Sequence, residues 1–139
     1  MTSVSFIIPV YNKSRYLKTV IKSLRQQSGN FDKEYIFIND GSTDNSLEIL
    51  KKAKKTLPNC KIITQKNKGS ANATNVGIFA AKMKYIKFLD ADDIILSNAT
   101  NVLVNFLENS SESVLAYGLQ RKVDNFKKVN LDEKIIIHD

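Results

Sequence analysis

Short apolar runs alternate with helical apolar periods along most of this chain, and that alternation leaves few folds open. Val4-Ser5-Phe6-Ile7-Ile8, closed by Pro9, reads as a buried strand. Leu17, Val20, Ile21 and Leu24 then mark one helical face, with Gly29 expected at its C-terminal end. Tyr35-Ile36-Phe37-Ile38 lacks polar alternation, as a strand covered on both faces would. Asp40-Gly41-Ser42-Thr43-Asp44 is a turn whose Ser42 or Thr43 is expected to cap a helix carrying Leu47, Leu50, Ala53 and Leu57, closed by Pro58. Lys61 to Gln65 is a third strand, and Ala73, Val76, Ala80 and Met83 share a third helical face. Tyr85 to Leu89 is a fourth strand. A helix capped near Ser97 turns Ala99, Val102, Leu103 and Phe106 inward, and Val114 to Leu119 is a fifth strand. Lys134 to Ile137 could add an edge strand.

Such alternation predicts an α/β fold: a three-layer α/β/α sandwich on a mainly parallel sheet. The 139 residues, 42% apolar and 25% charged, suit one domain spanning residues 1–139. No apolar stretch reaches membrane-spanning length, and the N-terminus does not read as a signal peptide. Cys60, the only cysteine, excludes an intrachain disulfide and a cysteine-based zinc cluster. It suits a reducing compartment, so a cytoplasmic location is expected. The net charge of +7 points to an anionic partner. Nucleic acid is disfavoured, because no aromatic residues interleave with the lysines as stacking platforms. Peripheral contact with the inner face of the cell membrane stays open, as does self-association.

In open parallel sheets, ligands sit beyond the carboxyl ends of the strands. Two acidic turns fall there. Asp90-Ala91-Asp92-Asp93 crowds three carboxylates whose repulsion a cation would relieve, and Mn2+ or Mg2+ takes such oxygen ligands together with substrate phosphates. The alternative reading is acids drawn to a helix N-terminus. Asn39-Asp40-Gly41-Ser42 offers Asp40 as an acceptor for a base N–H and Gly41 for close backbone approach, or else a plain Asp-Gly turn. GxGxxG after the first strand and GxxxxGK[ST] are both absent. The single histidine, His138, supports neither a triad nor a multi-histidine metal site.

Taken in order, Val4 to Asn12, Asn39 to Asp44, Asn67-Lys68-Gly69, Ala73 to Ile78 and Tyr85 to Asp93 resemble the motifs of family 2 glycosyltransferases, which carry the GT-A fold with its Rossmann-like nucleotide-binding half. The resemblance covers roughly the first 95 residues. It implies that Pro9, Val10, Tyr11 and Asn12 line the nucleotide pocket and that Asp40 holds the base, typically uracil. It further implies that Gly69 lies against the nucleotide, that Asp90-Ala91 borders the ribose, and that Asp92, with Asp90, holds the metal. The implied partner is a nucleotide-diphosphate sugar, and the implied acceptor is a saccharide or a lipid-linked hydroxyl in cell-surface polysaccharide or glycolipid synthesis.

Three departures stand out. Asn39 replaces a frequent Asp, and Met83-Lys84 replaces a frequent Gly-acid pair. Thr74 stands where an Arg is common, which removes a bidentate phosphate partner that Lys66, Lys68 or Lys82 would have to replace. No general base is visible, because Glu108, Glu112, Asp124, Asp132, Glu133 and Asp139 sit in no recognisable motif. The expectation is therefore a donor-binding part without its acceptor part. The alternative is a nucleotide-sugar binding module that does not turn over by itself. A phosphatase or phospho-acceptor reading would need an Asp at the end of the first strand, where Pro9-Val10-Tyr11-Asn12 stands.

Overall fold

A computed structural model describes residues 1–125 and 129–132. The elements follow in the order β1 (Ser3–Val10), α1 (Ser14–Arg25), β2 (Asp32–Asp40), α2 (Ser46–Lys54), β3 (Cys60–Gln65), α3 (Ser70–Ala80), β4 (Tyr85–Phe88) and α4 (Ala99–Asn109). The four strands form one sheet in the order β3-β2-β1-β4. Every neighbouring pair is parallel, with Phe6 opposite Tyr35 and Lys87, and Ile36 opposite Lys61. The expected three-layer α/β arrangement is therefore present.

Side-chain alternation in the two central strands builds a core on each face. Val4, Phe6, Ile8 and Val10 of β1, with Tyr35 and Phe37 of β2, pack against Leu17, Val20, Ile21 and Leu24 of α1 and Leu50 and Ala53 of α2. Val104 of α4 joins that layer. Phe6 and Tyr35, opposite each other in the ladder, stack with ring centroids 5.2 Å apart. On the other face Ile7, Ile36 and Ile38 meet Ala73 of α3. Helix α3 lies close to the sheet because Gly77 has no side chain. A Cβ there would come within 2.4 Å of Ile7 Cγ2 and 2.8 Å of Ile38 Cδ1. Burial on both faces is what the unbroken apolar runs of β1 and β2 require.

Several boundaries differ from the sequence-based expectations. Helix α1 ends at Arg25, and Gly29 (φ 125°) serves the following loop. There an added Cβ would strike Asn101 Oδ1 at 2.5 Å and Phe31 at 2.6 Å, so close packing against α4 explains the glycine better than capping does. Helix α2 starts only at Ser46, preceded by Asn45, and neither Ser42 nor Thr43 caps it. Met83 lies beyond the end of α3. On α4 the buried positions are Thr100 and Val104, while Phe106 is exposed.

Val114 to Leu119 forms no strand. Val114, Leu115, Tyr117 and Leu119 are all exposed, since no strand edge pairs with their backbone and apolar composition alone does not make a ladder. Lys134–Ile137 and His138 lie outside the described residues. Among the described residues no helix is long and apolar enough to cross a membrane.

Candidate nucleotide and metal site

Because all four strands run parallel, their carboxyl ends share one edge, and the loops after β1, β2, β3 and β4 meet there. The loops after β1 and β2 are laced together. Asn12 adopts a left-handed backbone (φ 52°), which asparagine tolerates better than most residues. Its Oδ1 accepts from the Thr43 amide at 2.8 Å and the Asp44 amide at 3.3 Å. Its own amide donates to Ser42 Oγ at 3.1 Å, and Ser42 Oγ donates to the Val10 carbonyl at 3.4 Å. Ser42 is thus occupied in joining loops, which is why it caps no helix.

Asp44 accepts from the amides of Ser14 (3.0 Å) and Ser46 (2.9 Å), and the Lys13 amide donates to Ser46 Oγ at 2.9 Å. Burial alone would raise the pKa of Asp44, but these donors outweigh it and hold the carboxyl down at about 2. The chain at Tyr11, itself half exposed, is therefore presented on a fixed shelf.

Asp40 is buried at the end of β2. Its Oδ1 accepts from Gln65 Nε2 at 2.7 Å and the Lys68 amide at 2.9 Å, and its Oδ2 accepts from the Gly69 amide at 2.9 Å. Burial raises its pKa, and the donors from Gln65, Lys68 and Gly69 more than reverse that, so it stays ionised. A carboxylate offers about four lone-pair positions, so roughly one is left for a ligand donor. Gly41 (φ 72°) lets the Asn67 backbone close in, since a Cβ would stand 2.8 Å from the Asn67 nitrogen. Asn39 is buried and accepts from the Ser42 amide, a structural duty that an amide side chain fills. Gly69 (φ 88°) opens α3 and has free space around it.

The Asp90–Asp93 turn follows β4. The Leu89 amide extends the ladder by donating to the Ile7 carbonyl, and the Asp93 amide closes the turn on the Asp90 carbonyl at 3.0 Å. Ala91 is buried in the core. Its burial anchors the turn between an exposed Asp90 and a partly buried Asp92. Asp92 Oδ2 lies 2.5 Å from Lys13 Nζ, an ion pair reaching across from the β1 loop. Burial, then the charges of Asp90 and Asp92, raise the pKa of Asp93, and only Lys13 opposes them. Among the described residues no three metal-ligating side chains converge. Two carboxylates with a substrate diphosphate nonetheless suit Mg2+ or Mn2+, which keep several positions for phosphate and water. The crowding of negative charge at this turn fits a cation there.

All the carboxyl-edge residues expected from the sequence, from Pro9 through Asp92, come to this edge. Lys66 and Lys68 do too, in the β3–α3 loop. Lys82 does not. It follows α3 at the opposite edge, where its amide donates to the buried Glu34, so it cannot stand in for the absent arginine. Met83 and Lys84 donate their amides to Ser5 and Ser3 at that same amino edge. Glu108 also lies there, bonded to Thr2 and Lys84. Reading the sequence missed Lys13, Asp44 and Gln65. For Asp44 a signal existed in the Asp-x-Ser spacing of a side chain that accepts two residues on.

Comparison with known proteins decides the family. Residues 5–137 match the family described as Glycosyl transferase family 2. This chain belongs to that family. The family match runs well past the motifs ending at Asp93. The minor teichoic acid biosynthesis protein GgaA of Bacillus subtilis is 38% identical over 117 residues, which is 81% of this chain and 26% of that protein. The crystal structure of S. aureus TarS 1–349 in complex with UDP superposes with a TM-score of 0.69 at 29% identity, covering 78% of this chain and 32% of that one. A further TarS structure holds UDP-GlcNAc. Mannosyltransferase PcManGT from Pyrobaculum calidifontis, solved with GDP-Man and Mn2+, shares the fold at a TM-score of 0.65 and 22% identity, covering 70% of this chain and 30% of that one. The chain spans between 15% and 37% of the length of the first curated relatives it matches. The fold is that of the GT-A neighbours.

Proposed function

We propose that this chain is the donor-binding part of a metal-dependent, inverting glycosyltransferase that uses a UDP-sugar. The observation that carries the reading is the meeting of the Pro9–Asn12 segment, Asp40 and the Asp90–Asp92 turn on one sheet edge, on three different strands. The half-exposed Tyr11 and the remaining acceptor position of Asp40 suit a uracil base. Asp92, assisted by Asp90, would hold Mn2+ or Mg2+, and a metal bound there supplies charge to a departing diphosphate. Ala91 fixes the turn, the laced β1 and β2 loops exclude competing backbone geometries, and Gly69 leaves room beside the nucleotide. The presence of UDP and UDP-GlcNAc in TarS structures supports the choice of donor class. The likeness to GgaA supports cell-surface polymer synthesis as the setting, with a saccharide or lipid-linked acceptor.

A second reading, a donor-binding module that does not turn over by itself, is favoured by Glu108. This acid lies at the amino edge, away from any donor, and so is no general base. Calorimetry with UDP tests the first reading. Binding is expected only with Mn2+ or Mg2+, and Asp92→Ala should lose most of the affinity. Metal-independent binding, or none, rejects it. Sustained sugar transfer by these 139 residues would reject the module.

A further inference from the structure

The Lys13 ammonium occupies the position of positive charge that the metal turn calls for. Its Nζ lies 2.5 Å from Asp92 Oδ2, with the two side chains 34% and 41% exposed. The same ammonium stands 5.9 Å from the centroid of the Tyr16 ring. Its backbone cannot wander. The Lys13 carbonyl accepts from the Tyr16 and Leu17 amides at the start of α1, and its amide is held by Ser46 Oγ. Only the flexible side chain can move, swinging on a fixed base at the mouth of the site.

We infer that Lys13 is a resident counter-cation of Asp92, displaced when a divalent metal arrives with the nucleotide diphosphate, and that the freed ammonium then pairs with the diphosphate. This deepens the donor-binding reading and rests on it. A second cation at Asp92 Oδ2 would stand at contact distance from the ammonium, and their repulsion disfavours that arrangement although solvent partly screens it. A metal arriving alone at Asp92 weakens the Lys13 pair and leaves the ammonium facing less negative charge. A metal arriving with a diphosphate brings the anion with it. Lys13 thereby disfavours the metal alone and favours the metal–diphosphate complex, making the two ligands bind cooperatively. The same ammonium takes over part of the role that the arginine replaced by Thr74 would fill, from the β1–α1 loop instead of α3.

The test is Mn2+ binding to the whole chain, read from the paramagnetic resonance signal of free Mn2+, without and with UDP. Wild type, Lys13→Met, Lys13→Arg and Asp92→Asn are compared after thermal melts show each to be folded. In Lys13→Met, affinity for Mn2+ alone should rise roughly threefold to tenfold as the competitor is removed. Affinity for UDP at saturating Mn2+ should fall about tenfold as a charge-assisted contact is lost. Lys13→Arg should resemble wild type in the first measurement. Unchanged or weaker binding of Mn2+ alone to Lys13→Met, or unchanged UDP affinity, overturns the role of Lys13. If Mn2+ binding is lost in Asp92→Asn at the same time, the metal site itself survives. Absence of Mn2+ binding from every form overturns both.

Discussion

Glu34 shows how much one side chain can be asked to hold. Buried near the start of β2, it accepts from Ser5 Oγ at 2.8 Å and the Lys82 amide at 3.0 Å, and pairs with Lys61 Nζ at 2.5 Å. It so joins β1, β2, β3 and the exit of α3. Burial raises its pKa, but the Lys61, Ser5 and Lys82 contacts win and leave it lowered. A carboxyl lowered on folding stabilises the fold above its unfolded value of about 4.3, and that contribution is lost as pH falls through the lower folded value. Urea melts across that acid range should show stability dropping in wild type. In Glu34→Gln the drop should be smaller, with stability already reduced at neutral pH. Glu34→Ala should cost on the order of 2–4 kcal/mol, since Ser5 Oγ and the Lys82 amide lose their acceptor. A pH profile identical in wild type and Glu34→Gln would remove Glu34 from the acid response. None of this was legible beforehand, for a Glu that follows Asp32 and Lys33 at the head of an apolar run announces neither its partners nor its burial. Asp40, which ends β2, and Asp92, in the turn after β4, could be placed at the carboxyl edge from the sequence, whereas the lysine facing Asp92 could not.

Among the elements, those with a strong period were readable and those needing a remote partner were not. The apolar spacing of Leu17, Val20, Ile21 and Leu24 located α1, and all four residues are buried. The runs in β1 and β2 located the central strands. Helix ends were less secure, because loop-to-loop hydrogen bonds took the Ser42 side chain that local pattern assigned to a cap. The segment Val114 to Leu119 has strand-like composition and no ladder, since composition states a preference while pairing needs an available edge. Its amides are therefore expected to exchange with solvent rapidly, whereas those of Ile7, Ile8, Ile36 and Phe37 resist until global unfolding. Native-state hydrogen exchange measures both. Protection of residues 114–119 comparable with that of β2 would show that the segment pairs in solution.

The whole molecule depends on an arrangement that no local pattern encodes. The order β3-β2-β1-β4 sets β4 beside β1, and only that adjacency brings Lys13 to Asp92, 79 residues away in sequence. The parallel alternation was readable and told that the loops after the strands share one edge; the order of strands along that edge was not. At the same scale, the net charge of +7 should draw an anionic ligand by a long-range field. Affinity for UDP with Mn2+ should then fall severalfold when salt rises from about 0.05 M to about 0.5 M, over which the screening length contracts to a few ångströms. Salt-insensitive binding would confine the electrostatics to Lys13 and the Asp90–Asp93 turn. Asp40, finally, links two matters that are usually separate. The carboxylate proposed to meet the nucleotide is the same one that ties down the Lys68 and Gly69 amides. By reciprocity, whatever strengthens the strap sharpens the pocket, and a nucleotide bound there makes the β3–α3 loop more costly to open. Protease susceptibility at the exposed Lys66 and Lys68 would thus be a gauge of occupancy.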